Sequence, residues 1–228
     1  LDVAVGALGE QLRALRMIKD GLEGDAPFVQ TVFSPLSVAG RLAGGREDLV
    51  KETMRREPGK LHRVLSIITE TFAGYTRACA GVGASGIFFA TTVWASKDVL
   101  TPEDYREYGL PYDLEVMRAA STSPFNILHI CGRNIMFELL AGAPVHAINW
   151  AATVPGNPTL KEGLARTTRA VIGGISEKTV LVEGTPEDVA FQARQAVKET
   201  GGKRFLLGPG CTIPPQAPEA NLRAVVIQ

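Results

Sequence analysis

The chain has little of what most specialised folds require. Three cysteines in 228 residues are too few for a disulfide framework, so a stapled extracellular scaffold is excluded, and the expectation is reduced thiols in a cytoplasmic protein. Neither sign of charge is in excess, with 24 basic and 24 acidic residues. This balance points to no nucleic acid and no acidic membrane surface as partner. No apolar run is long enough to span a bilayer, and no signal-peptide pattern opens the chain. Neither a Gly-x-Gly-x-x-Gly turn nor a P-loop is present. There is no interdomain linker and no low-complexity tract. What is plentiful is apolar material, 45% of the residues, enough for the core of a single domain over residues 1–228. The chain opens on Leu1 rather than Met, and the expectation is that the domain is N-terminally incomplete.

Periodicity then reads as alternation. Residues 1–22 carry apolar side chains at helical spacing. "APFVQTVFSP" is a β-branched and aromatic run stopped by Pro35, a strand, followed by a loop and short helix over "PLSVAGRLAGG". A long amphipathic helix is expected over 60–84, a strand over 85–94, and a helix over 101–121 opened by Thr101 as N-cap with Glu103 and Asp104 in its first turn. The pattern repeats with strands in "FNILHIC", "VHAINW", "AVIGGI" and "RFLLGPG". Between and after them come helices over 133–143, 159–168, 185–202 and 217–227. Thr185 caps the third of these and Gly201 and Gly202 close it. Strands apolar on both faces belong to a parallel sheet covered by helices. Such alternation suits an α/β doubly wound sheet or a (β/α)8 TIM barrel. Six units are two short of a barrel, and the expectation is that the chain lacks the first two β/α units.

The scarce residues are not scattered. His129 and Cys131 stand two apart at the end of a strand, so they project to the same side. In a barrel, the C-terminal ends of the strands form the active-site face. Cys211, in "LLGPGCTIPP", also directly follows a strand. One imidazole and two thiols suit Zn²⁺, and three protein ligands leave the open position of a catalytic site. A substrate thiol is a natural fourth ligand, deprotonated by coordination. Cys79 lies in a helix and reads as core, while His62 and His146 read as structural or surface residues. Asn149, at a strand end, is a candidate for orienting substrate or a zinc ligand. Ser34 and Arg41 are candidates for the mouth of the site, with Arg41 able to bind an anionic group. Thr91 and Thr92 at another strand end are expected to satisfy local hydrogen bonds.

Several motifs together resemble the uroporphyrinogen decarboxylase superfamily, from about Pro27 to the end. They are "FSPLSVAGRLAGG", "LTPEDYREYGLPY", "AINW", "VIGGIS" and "TGGKRFLLGPGCTIPPQAPEANLRAVV". The resemblance implies a (β/α)8 barrel and one of two chemistries. The decarboxylase branch, acting in tetrapyrrole biosynthesis without a cofactor, uses a Tyr, an Asp-Ser pair and a His in Gly-His-Gly. This chain departs from each, with Arg41 near the Tyr, "ATTVW" at the Asp-Ser and Pro209 in place of the His. The cobamide-dependent methyltransferase branch, similar to enzymes that methylate coenzyme M, carries a His-x-Cys and a distant Cys as zinc ligands. His129, Cys131 and Cys211 match it. The resemblance thus implies Zn²⁺ as cofactor, methylcobamide carried on a corrinoid protein as partner, and a small-molecule thiol as acceptor. A homodimer is compatible with this reading, and a non-catalytic barrel fragment or binding subunit is the third expectation.

Overall fold

The structure, a computed structural model, describes residues 1–226. Ile227, the end of the last expected helix, lies outside the described residues. Six strands, β1 (Val29–Phe33), β2 (Gly86–Ala90), β3 (Ile127–Ile130), β4 (Ala147–Trp150), β5 (Ala170–Ile175) and β6 (Phe205–Pro209), form one sheet in sequence order. The pairing is parallel, with Val29 opposite Gly86, Ala147 opposite Ala170 and Val171 opposite Phe205. Parallel neighbours need a crossover, and helices supply it. Every residue of β3 and β4 is buried, as in a sheet covered on both faces. The α/β alternation read from the periodicity is therefore the architecture found.

The chain divides into two compact units. The first comprises Leu1–Ala95, Val99–Leu128 and Ala143–Val145; the second comprises Ser96–Asp98, His129–Gly142 and the residues from His146 onward. The first unit holds α1 (Gly6–Leu22), α2 (Pro35–Leu42), α3 (Glu47–Arg56), α4 (Pro58–Gly81), α5 (Pro102–Tyr108) and α6 (Leu110–Arg118). Its spine is α4, against which α1, α2, α3 and α6 pack. Leu61, Leu65, Ile68, Tyr75 and Cys79 are buried along it at the spacing of one helical face. Burial pushes the Cys79 thiol up to about 11, so it is the inert core residue expected.

Two differences from the periodicity have local causes. The helix expected over 101–121 is two, α5 and α6. Pro111 offers no backbone N–H and Gly109 intervenes, so the ladder stops and restarts. Helix α3 has no counterpart among the elements that periodicity predicts. It buries only Val50 and Met54, too few apolar positions for a clear stripe. Its charges do fit a helix, with Glu47 and Asp48 in the first turn and Arg55 and Arg56 in the last.

The second unit holds α7 (Phe137–Leu140), α8 (Leu160–Arg166), α9 (Val180–Glu183), α10 (Pro186–Thr200) and α11 (Glu219–Ala224). Ile175, Leu181, Val189 and Ala193 form a buried cluster covered by Leu207, Ala224 and Val225. Trp150 is fully buried, donates from Nε1 to the Pro158 carbonyl at 2.8 Å, and meets Phe137 edge-on at 4.8 Å. Helix α10 opens on a capping box in which Thr185 and Asp188 satisfy each other's backbone N–H, and it closes on Gly201. Helix α7 is far shorter than the 133–143 expected. The residues before it are committed to a tied loop: Ser96 Oγ donates to the Arg133 carbonyl at 2.6 Å, and Ile135 N donates to Asn157 Oδ1 at 3.2 Å. Among the described residues no helix is long and apolar enough to cross a membrane.

Candidate metal centre

The site lies wholly in the second unit. His129 is the third residue of β3 and is 5% exposed; Cys131 follows the strand end and is half-buried. Two residues on in sequence from the end of β6, Cys211 is also half-buried. The residue between, Gly210, runs against β4's exit: a Cβ there would lie 2.4 Å from Ala151 Cα. Only glycine permits that approach, and it carries Cys211 to the other two. The three ligand atoms lie within 4.8 Å of one another. Cys131 Sγ is 3.6 Å from Cys211 Sγ, and Cys211 Sγ is 3.5 Å from His129 Nε2.

Asn149, in β4, sets the imidazole. Its amide nitrogen donates to the Ile172 carbonyl at 3.1 Å and the Pro209 carbonyl at 3.0 Å. With both amide protons engaged there, the amide oxygen faces His129 Nδ1, 2.6 Å away. An amide oxygen only accepts, so Nδ1 carries a proton and Nε2 is the nitrogen that faces Cys211. Fixing a ligand's tautomer through its far nitrogen is what metal sites use to aim an imidazole.

The loop after Cys131 is clamped. Gly132 has φ +104, a conformation natural to glycine. Asn157 Nδ2 donates to the Gly132 carbonyl at 2.9 Å and the Ala151 carbonyl at 3.1 Å. Lys97 N donates to the Asn134 carbonyl, and Asn134 Nδ2 donates to Asp98 Oδ1 at 2.7 Å. The two thiols are unlike. A hydrogen bond from Cys131, then one with His129, holds the Cys211 thiol well below the usual thiol range. The same contact and burial push Cys131 up, with Lys178 and Glu177 acting on it weakly and oppositely. Sequence reasoning missed Asn157 and Glu177. Glu177, just past β5, is 4% exposed, and a charge next to the end of an apolar strand was its readable signal.

The donor set fits zinc. Tetrahedral Zn²⁺ with bonds of about 2.3 Å to sulfur and about 2.0 Å to nitrogen places two sulfurs about 3.8 Å apart and sulfur about 3.5 Å from nitrogen. The observed 3.6 and 3.5 Å are close to that, whereas a disulfide would need about 2.05 Å.

The remaining candidates lie in the first unit. Ser34 caps α2, its Oγ 2.7 Å from Ser37 Oγ. Ser37 Oγ donates to the Thr91 carbonyl at 3.1 Å and is 2.7 Å from Thr92 Oγ1. Thr91 and Thr92 thus take part in local hydrogen bonding, as expected. Arg41 is exposed, with its guanidinium 4.6 Å over the Phe33 ring. With Ser37, Glu47, Thr92 and Trp94 it lines a cavity of about 190 Å³. His62 stacks on Tyr108 and bonds Tyr112 at 2.7 Å, a structural role.

Comparison with known proteins bears on this arrangement. The profile of the Uroporphyrinogen decarboxylase (URO-D) family matches residues 1–227. The chain belongs to this family. Its relatives in the family fall in two groups. A methylcobamide:CoM methyltransferase MtaA of Methanosarcina barkeri is 26% identical over 219 residues, covering 94% of this chain and 61% of that protein. A uroporphyrinogen decarboxylase of Chlorobium chlorochromatii (strain CaD3) is 30% identical over 238 residues, covering 96% of this chain and 64% of that protein. The chain thus spans about 60% of the length of such URO-D relatives. A solved methyltransferase from Methanosarcina mazei superposes with a TM-score of 0.85 at 24% identity, over 98% of this chain and 64% of that one. That likeness establishes the fold, an α/β arrangement of parallel strands alternating with helices.

Proposed function

We propose that the protein is a zinc-dependent methyltransferase that moves a methyl group from a methylcobamide on a separate corrinoid protein to a small-molecule thiol in the cytoplasm. The observation that carries the reading is the convergence of His129, Cys131 and Cys211, whose donor atoms all lie within 4.8 Å of one another, with Cys211 Sγ 3.5 Å from His129 Nε2 and 3.6 Å from Cys131 Sγ, close to the spacing around one zinc ion. Relatives named as methylcobamide:CoM methyltransferases support it. Zinc, when bound, supplies the Lewis acidity that makes a thiol a thiolate at neutral pH. The chain's own residues do the rest. Cys131 and Cys211, with His129 through Nε2, would hold the ion. Asn149 keeps Nδ1 protonated and the ring aimed. The clamped loop from Gly132 to Asn134 holds Cys131 in place. Three protein donors would leave the ion able to take the acceptor thiol as a further ligand.

The test is methyl transfer by the full-length protein from methylcobalamin to 2-mercaptoethanesulfonate. Thiol methylation that stops on chelation and returns with zinc is expected. Release of carboxyl groups from uroporphyrinogen, unaffected by chelators and without thiol methylation, would assign the chain to the decarboxylases instead.

A further inference from the structure

We infer that Cys131 and Cys211 are also a modification site for low-molecular-weight disulfides, which convert the pair to an intramolecular disulfide that cannot hold a metal. The consequence for zinc rests on the reading above; the thiol chemistry rests on geometry alone. The two sulfurs are 3.6 Å apart although the residues are 80 apart in the chain. A bond requires about 2.05 Å, so they must close by about 1.5 Å, the scale of a side-chain rotation. Both residues are half-buried, whereas Cys79, the third thiol, is fully buried. A small reagent therefore reaches the pair and not the third. The space beside the pair is open, so a reagent can approach without the clamped loop moving. A Cβ on Gly132 would find its nearest atom 4.0 Å away, and Thr212 and Ile213, after Cys211, are exposed.

The exchange balances. One protein thiolate attacks a sulfur of the reagent R–S–S–R, forming a mixed disulfide and expelling RS⁻. The second protein sulfur attacks the protein sulfur of that mixed disulfide and expels a second RS⁻. The two protein S–H protons end on the two RSH formed, and two electrons pass from the cysteine pair to the reagent. From the zinc-bound state the same exchange frees Zn²⁺ in place of the two protons. His129 is then the last of the three donors, and one imidazole does not hold zinc. A metal-spaced pair and a bonded pair exclude each other, so the site reports the thiol–disulfide poise of its surroundings.

Full-length protein, metal-free and zinc-loaded, is incubated with excess glutathione disulfide and followed by intact mass, peptide mapping and a chromogenic zinc chelator. Metal-free protein should become lighter by two hydrogens, with Cys131 and Cys211 in one cross-linked peptide and Cys79 unmodified. Zinc-loaded protein should release one zinc per disulfide formed, and dithiothreitol should reverse both changes. A Cys79→Ala variant should behave identically. The proposal is overturned if metal-free protein keeps Cys131 and Cys211 as separate thiols, or carries glutathione on each without a cross-link. Cross-linking in a protein that never takes up zinc supports the thiol chemistry and contradicts the metal reading, so the two failures are separable.

Discussion

The ends of the strands are finished in two different ways. In the first unit, the residues after β1 and β2 are hydroxyls that consume one another. Ser37 Oγ has one proton and two lone pairs; the proton goes to the Thr91 carbonyl, and Ser34 Oγ and Thr92 Oγ1 sit 2.7 Å away on its other sides. Its capacity is spent. Thr92 is held at φ +48, a conformation that costs a β-branched residue about 1–3 kcal/mol, so the cluster serves to fix a turn. In the second unit, the residues after β3 and β6 carry soft donor atoms that lie within 4.8 Å of the His129 ring and of one another. Their supports, Asn149 and Asn157, spend their hydrogen bonds on position. Polar atoms at a strand end become a candidate site when they are soft donors that converge to within reach of one ion.

The sharpest break in that contrast comes from the ligands. Cys131→Ser and Cys211→Ser should each take bound zinc from about one per chain to background, because two protein ligands do not close a zinc site. Cys79→Ala should leave zinc content unchanged, since that thiol is sealed in α4's packed face. Metal analysis of the three purified variants checks this.

Removing the support in place of a ligand should cost less. Asn149→Ala should weaken zinc affinity about 10–100-fold, while Asn149→Asp, which still accepts from Nδ1, should restore most of it. Competition with a chelator of known strength measures both. Equal affinity in all three proteins would mean that Asn149 only braces the Ile172 and Pro209 carbonyls.

The first unit should answer to pH where the second answers to metal. Asp113 is buried, accepts from the Tyr105 hydroxyl at 2.5 Å and has no partner at Oδ1. Burial pushes its carboxyl from 3.8 up to about 7. The folded state then holds a proton that the unfolded chain has released, so the contribution is full below pH about 4 and lost as pH rises through about 7. Asp113→Asn has no proton to lose. Its advantage over the native protein should grow by about 3 kcal/mol between pH 5 and 8, as read from urea unfolding at both. A constant difference would show that the carboxyl does not titrate in this range.

The smallest effect belongs to the hydroxyls. Ser37→Ala should lower stability by about 1–2 kcal/mol, through the Thr91 carbonyl left unpaired and the turn at Thr92 left unheld. Zinc content should be unaffected. A loss of zinc in Ser37→Ala would blur the distinction between the two strand ends.

Much of this was legible because the residues that matter are rare and sit at strand ends. His129 and Cys131 share a side by strand period alone, and Cys211 is marked by the glycines and prolines around it. The strands themselves were readable as apolar runs. What periodicity could not supply was the support. Asn149's tie to His129 crosses from β4 to β3, and Asn157's hold on Gly132 spans 25 residues of sequence; neither leaves a local pattern. Short helices failed for a related reason. In α3 the stripe is too thin, and ahead of α7 long-range hydrogen bonds from Ser96 and Asn157 override residues that on their own favour a helix. Local signals give way wherever distant partners set the backbone, and here those partners are the ones that build the site.

The central claim is that one ion is shared by His129, Cys131 and Cys211. Zinc-edge X-ray absorption on the purified full-length protein tests it most directly. The account predicts a shell of two sulfurs at about 2.3 Å and one imidazole nitrogen at about 2.0 Å, with a fourth light ligand replaced by a third sulfur when a small thiol is added. A shell of nitrogen and oxygen alone, or one unchanged in Cys211→Ser, would contradict it.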